Sequence, residues 1–415
     1  MNSKAFLKAG HWPTLLASFL YFDVSFMVWV LLGPLSPFLA EQLHLTASQK
    51  GLLVAIPLLA GSFFRPVLGT LADRIGGRRA GLLGLSVTLA PLLLGWRYAS
   101  TFEHFLGIGA LLGVAGASFA VALPLASRWY PPEYQGLAMG IAGAGNSGTL
   151  LATLFVPRIA THFGWNNAFA FAAVPVSLVL VAFALLARES PAPKAPVTWK
   201  QYKALLAQAD TGWFCLFYSI TFGGFVGLAS FLTVFFVDQY HLPKVQAGDF
   251  VTLIVVCGSF LRPVGGWLAD RAGGYRVLLG VLLVAGAGLC ALSTLPVLGV
   301  AVAVLGLIMA MLGLGNGAIF QLVPQRFAGS VGTITGLVGA AGGIGGFLLP
   351  SQMGFLKDHA GSYGAGLLAF GGLTLLVLCA LLRLGTKWLQ EWPEETVRRA
   401  GLFSLRSVWA SEPAE

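Results

Sequence analysis

The sequence predicts an all-α membrane protein, with twelve transmembrane helices in two six-helix repeats and both termini in the cytoplasm. Three observations carry that reading. Of 415 residues, 57% are hydrophobic and only 10% are charged, and the mean hydropathy is +0.81. Apolar runs repeatedly reach the length needed to cross a hydrocarbon core of about 30 Å. Finally, 14 of the 19 residues at 61–79, GSFFRPVLGTLADRIGGRR, recur unchanged 197 positions later at 258–276, GSFLRPVGGWLADRAGGYR. Such a match marks a parallel internal duplication.

The polar breaks place the spans in order. The first, 14–39, is too long for the core of a signal peptide and is expected to stay in place. It carries one acid, Asp23. The second, 48–72, ends in the first copy of the repeated string, and the third and fourth follow at 80–98 and 103–127. The fifth, 135–160, is glycine-rich, and the sixth, 165–187, closes an N-terminal bundle over 1–186. Residues 187–210, ARESPAPKAPVTWKQYKALLAQAD, hold three prolines and most of the mid-chain charge, as a cytoplasmic linker does. The C-terminal bundle, 211–385, repeats the plan with spans at 211–237, 247–271, 276–297, 299–324, 332–358 and 362–385. A polar, Trp-containing cytoplasmic tail, 386–415, is expected to be interfacial or loosely ordered.

Charge distribution sets the orientation. The net charge is +9, yet 18 of the 25 basic residues fall in loops on the N-terminal side and five on the other, namely Lys50, Arg97, Arg158, Lys244 and Lys357. By the positive-inside rule the termini are cytoplasmic, so the basic balance reports topology and not nucleic-acid binding. The four cysteines all lie within apolar runs, where a disulfide framework or zinc site is not expected. The six histidines sit at span ends or in loops, out of reach of a metal cluster or catalytic relay at membrane depth. GNGAIF, 315–320, has glycines but no Walker lysine. No enzyme activity, metal or cofactor is therefore expected. The chain should work as a monomer in the lipid bilayer, powered by ion gradients.

The two remaining basic residues, Arg65 and Arg262, are the anomaly. Each lies eight residues, roughly 12 Å of helix, on the membrane side of Asp73 or Asp270. An arginine at mid-helix costs about 2.5–3.5 kcal/mol on insertion scales. Under the duplication the two face each other across a central cavity, where like charges repel unless an anion separates them. Guanidinium is planar and permanently charged, so its paired donors suit a trigonal oxyanion or a carboxylate. Glycines point to the same place. QGLAMGIAGAGNSG holds Gly143, Gly145 and Gly148, and GLVGAAGGIGGFLLP holds Gly339, Gly342, Gly343, Gly345 and Gly346. Such faces let helix backbones approach closely.

GTLADRIGGRR and GWLADRAGGYR resemble the loop signature of the major facilitator superfamily, which implies the major facilitator fold. In that setting Asp73 and Asp270 can cap a neighbouring helix. They can also pair with Arg74, Arg79, Arg271 or Arg276 across the half interface, forming a cytoplasmic latch. AGAGNSG and GAAGGIGGFLLP are similar to the two glycine signatures of the nitrate/nitrite porter family, and LFYSITFGGFVG, 216–227, resembles its seventh span. The resemblance implies that Arg65 and Arg262 clamp nitrate or nitrite and that Asn146 and Tyr218 donate hydrogen bonds. It also implies that Phe119 and Phe222 sandwich the flat anion. Asp23 is outside that constellation. It is read as the proton carrier of a nitrate/proton symporter, as a fixed counter-ion for one arginine, or as a water-facing carboxylate. Without proton coupling, nitrate/nitrite antiport is the natural alternative. Carriage of a small organic carboxylate on the same fold, or a non-transporting membrane sensor, are the competing functions.

Overall fold

The computed structural model describes residues 3–190, 199–327 and 331–402. Residues 191–198 of the expected linker and 403–415 of the expected tail lie outside the described residues. The described chain is almost wholly helical and contains no strand.

Twelve helices are long and apolar enough to cross a membrane. We label them α1 (Trp12–Leu43), α2 (Ala47–Ile75), α3 (Gly77–Arg97), α4 (Phe102–Ser127), α5 (Leu137–Phe163), α6 (Trp165–Leu186), α7 (Ala209–Tyr240), α8 (Lys244–Ala272), α9 (Gly274–Leu292), α10 (Leu298–Arg326), α11 (Thr333–Ala360) and α12 (Tyr363–Glu391). All twelve coincide with expected spans. Span α12 runs past residue 385, because Trp388 and Trp392 are buried and stack on each other with centroids 4.5 Å apart. A short helix, Glu394–Ala400, follows, and another, Trp199–Leu206, lies between the halves.

Glycine repeats the same packing in both halves. A Cβ at Gly113 of α4 would lie 2.7 Å from the Gly61 nitrogen of α2. Likewise, Gly313 of α10 rests directly on the backbone of Gly258 in α8. The duplicated string thus meets its neighbouring span through the same close backbone contact in each half.

Local breaks shape the interior. Span α5 tightens into a 3₁₀ turn at Ala144–Ser147, and α8 is interrupted at Phe260, two residues before Arg262. Pro263 then falls in the first turn of the new helix, where its missing N–H costs nothing. Irregular backbone at this depth is tolerated where protein surrounds it or a cavity is lined.

Contacts between the halves gather on the face opposite the termini. Lys50 pairs with Asp238 at 2.7 Å, Arg158 with Asp249 at 2.7 Å, and Lys244 with Glu41. Asp358 of α11 accepts from the backbone N–H groups of Ala47 and Ser48, capping α2 from the other half at 3.1 and 2.8 Å. On the terminal face, Asp73 pairs with Arg128 at 3.0 Å and Asp210 with Arg326, each within its own half.

Candidate anion site between the halves

Arg65 is placed by α2 about 27 Å from that helix's far end and about 15 Å from its terminal end, in the interior of the bundle. It is only 2% exposed. Its Nε donates to the Gly116 carbonyl at 3.1 Å, and Nη1 donates to the Gly339 carbonyl of the opposite half. Its Nη2 has no partner. Three rings surround the guanidinium, with centroids 5.1 Å (Trp29), 5.4 Å (Phe222) and 5.5 Å (Phe119) away. Aromatic faces offset part of the lost hydration of a buried cation without neutralising it.

Arg262 is half-buried and lies beside one of those rings, Phe119. Its guanidinium carbon lies 5.9 Å from the Phe119 centroid and 5.6 Å from that of Phe320. Nη2 donates to the Tyr218 hydroxyl at 3.4 Å, while Nη1 is buried and unpaired. Because Tyr218 accepts through its oxygen, its own hydrogen stays free to be donated. Tyr218 and Phe222 stack at 5.0 Å with 4° between their planes. Phe320 meets Tyr218 edge-on at 5.0 Å.

The two arginines, Phe119, Tyr218 and Phe222 are therefore brought together. Trp29 and Phe320 belong to the same box and were missed in the sequence. Among thirty phenylalanines and eleven tryptophans in an apolar chain, neither stands out. Trp29 donates to the Pro57 carbonyl at 2.6 Å. It fits only because its neighbours are glycines, since a Cβ at Gly61 would lie 2.7 Å from the indole nitrogen.

The glycines of α11 divide their contacts among α7, α2 and Phe119 of α4. A Cβ at Gly342 would lie 2.6 Å from Tyr218 and 2.8 Å from Phe222. Gly345 rests on Ser219 of α7, and Gly346 would meet Val226 at 2.7 Å. Gly343 faces Ser62 of α2, and a Cβ at Gly339 would lie 3.5 Å from Phe119 and 3.7 Å from Arg65. On α5, Gly145 and Gly148 pack against the Asp23 backbone, whereas Gly143 has room, with Leu123 at 3.9 Å. Asn146, 1% exposed, occupies the 3₁₀ turn, and its amide makes no hydrogen bond. That turn reaches the box through Phe22, which a Cβ at Gly145 would meet at 2.9 Å and which lies 5.7 Å from Phe119. Asp23 is held by the Ser147 hydroxyl at 2.7 Å, not by either arginine.

The loop residues differ from expectation. Asp73 pairs with Arg128 of its own half, not across the halves. Glu189 caps α3, accepting from Gly77 and Arg78 N–H at 2.8 and 3.0 Å, and Gln321 meets the Gly274 N–H at 3.2 Å. Asp73 and Asp270 are therefore not the caps of these helices. Arg74 ends α2, Arg79 and Arg276 lie in the first turns of α3 and α9, and Arg271 covers the Trp267 ring at 4.0 Å, near the Asp270 loop. In this arrangement Asp73 pairs with Arg128 of its own half, and among the described residues no ion pair joins it to Arg74, Arg79, Arg271 or Arg276.

Twelve spans with a cationic, aromatic-walled site between their two sets define the class, a secondary membrane transporter. Residues 17–350 match the Major Facilitator Superfamily. A probable nitrate/nitrite transporter, NarK2, of Mycobacterium tuberculosis is 36% identical over 86% of this chain and 92% of the relative. A nitrite extrusion protein of Bacillus subtilis is 34% identical over 84% and 88%, and a probable nitrate transporter, NarT, of Staphylococcus epidermidis is 32% identical over 86% and 91%. A bacterial homologue of the human lysosomal transporter Spinster, solved inward-facing and occupied, superposes with a TM-score of 0.70 at 17% identity. That match covers 92% of this chain and 98% of the homologue, and it speaks for the fold alone. The chain belongs to the Major Facilitator Superfamily and, within it, to the nitrate/nitrite transporter family of these relatives. It is a multi-pass inner-membrane transporter, not an enzyme.

Proposed function

We propose that this protein moves nitrate, nitrite or both across the inner membrane by alternating access, holding one anion between Arg65 and Arg262. The observation that carries the reading is that the two guanidinium groups lie 5.5 and 5.9 Å from the Phe119 ring centroid, each with an unpaired buried Nη. A planar, weakly hydrated oxyanion can accept from both arginines and from Tyr218 while its flat face lies on the rings. Tetrahedral anions carry more charge and thickness than such a slot admits. The positive-inside bias supports cytoplasmic termini. The joined face is then external, and the arrangement is inward-facing.

Uptake of labelled nitrate into proteoliposomes tests the proposal when it is run with and without internal nitrite and under an imposed pH gradient. Stimulation by internal nitrite identifies antiport, and stimulation by the pH gradient identifies symport. Absence of nitrate and nitrite flux under every gradient, with good flux of a small carboxylate, would overturn the assignment.

A further inference from the structure

The face that carries the termini holds a second charged cavity, outside the arginine box. It spans about 590 Å³ between the α2–α3 loop and the end of α6, where Arg78, Arg79, Arg188 and Glu189 meet Ile75 and Leu185. Two of the four charged groups are already engaged. Arg78 is fixed to the end of α6, donating from Nε to the Ala187 carbonyl at 2.8 Å and from Nη2 to the Ala184 carbonyl at 2.7 Å. Glu189 is held by the first N–H groups of α3. Arg79 and Arg188 are exposed, and among the described residues their guanidinium groups make no hydrogen bond or ion pair.

Three arginines against one carboxylate leave the cavity with excess positive charge. Its position decides which anion it suits. Leu185 is 78% exposed, and Val181, Leu178 and Val174 continue the same exposed face of α6 away from the cavity. Of the twelve spans, α6 is the least buried within the protein. In a bilayer such a column is covered by acyl chains, and the cavity lies where the column ends, at the level of the lipid headgroups. A small soluble anion needs only the arginines, whereas a phospholipid uses the arginines and the apolar column together. Basic pockets at the cytoplasmic ends of spans suit headgroup phosphates, and the positive-inside bias supports that side for this face.

We propose that this cavity binds an anionic phospholipid, with the headgroup phosphate held by Arg79 and Arg188 beside the fixed Arg78 and the acyl chains lying along Leu185, Val181 and Leu178. The test is native mass spectrometry of the purified full-length protein in detergent, titrated with phosphatidylglycerol, phosphatidylcholine or inorganic phosphate. Wild type should retain phosphatidylglycerol saturably and bind phosphatidylcholine about fivefold or more weakly. A large excess of inorganic phosphate should not displace the lipid. Arg79→Gln combined with Arg188→Gln should weaken phosphatidylglycerol binding about tenfold. Arg271→Gln, at the end of α8 on the same face, should leave it unchanged. Should the double variant fail to fold, the two single variants carry the test, each with a loss of about threefold. Unchanged affinity in the folded variants, an equal loss in Arg271→Gln, or equal binding of phosphatidylcholine would overturn the site. Displacement by inorganic phosphate would make it a site for soluble anions and overturn the lipid assignment.

Discussion

Arg65 commits Nε and Nη1 to two backbone carbonyls, one from each half, and its Nη2 is unpaired. In the proposed function that third group donates to the anion. A lysine carries its three donors on a single nitrogen and cannot occupy those separated positions together. Arg65→Lys and Arg262→Lys should each weaken anion binding by about tenfold to a hundredfold without unfolding the protein, as measured by titration and thermal melting. Near-normal affinity in either variant would refute the directional argument. Asp23 accepts from the Ser147 hydroxyl and, among the described residues, forms no ion pair with either arginine; in a proton-coupled mechanism it is the proposed carrier. Asp23→Asn should abolish any pH-gradient response of uptake while leaving exchange intact, and an unchanged proton dependence in liposomes would exclude Asp23 as the carrier.

Span α11 is the element on which the site depends most closely, because one stripe of glycines meets α7 of its own half and α2 of the other. Its Gly339 carbonyl is also a ligand of Arg65. Gly342 has no space for a methyl group against Tyr218 and Phe222. Gly342→Ala should therefore destabilise the protein by about 1–3 kcal/mol and displace the stacked ring pair. The measurable outcome is a lower melting temperature together with weaker anion binding. A normal melting temperature with normal affinity would show that α11 does not press on the box. The 3₁₀ turn of α5 is the corresponding feature of the first half, and there Gly145 and Gly148 let Asn146 and Ser147 approach α1.

Across the molecule, the far face is joined by ion pairs and by a helix cap that spans the halves. Asp358 occupies the N-terminus of α2 only while that face is closed, because cap and helix belong to opposite halves. Asp358→Ala should remove about 1 kcal/mol from the closed-face state and shift the conformational ratio about fivefold towards the open-face state. Distance measurements between spin labels on His44 and His359, exposed positions near that junction, would report the shift. An unaltered distance distribution would rule out the cap as part of the gate. The Asp238 carboxylate, bonded by both Lys50 and the Tyr363 hydroxyl at 2.7 and 2.8 Å, ties α2, α7 and α12 together on the same face.

Composition and repetition were sufficient to reveal the twelve spans, the duplication and the two arginines within the spans, because hydropathy and a 197-residue offset are properties of the chain read linearly. The resemblance also reached Phe119, Tyr218 and Phe222. The sequence could not show that Trp29 and Phe320 gather around the two arginines, since aromatic side chains on long apolar helices acquire a role only through the helices they meet. It also could not distinguish Arg128 from the more distant arginines as the partner of Asp73. Tertiary structure decided those matters for one physical reason. In a bundle of near-continuous apolar helices, every face is compatible with burial, so the contacts between spans determine which face lines the site.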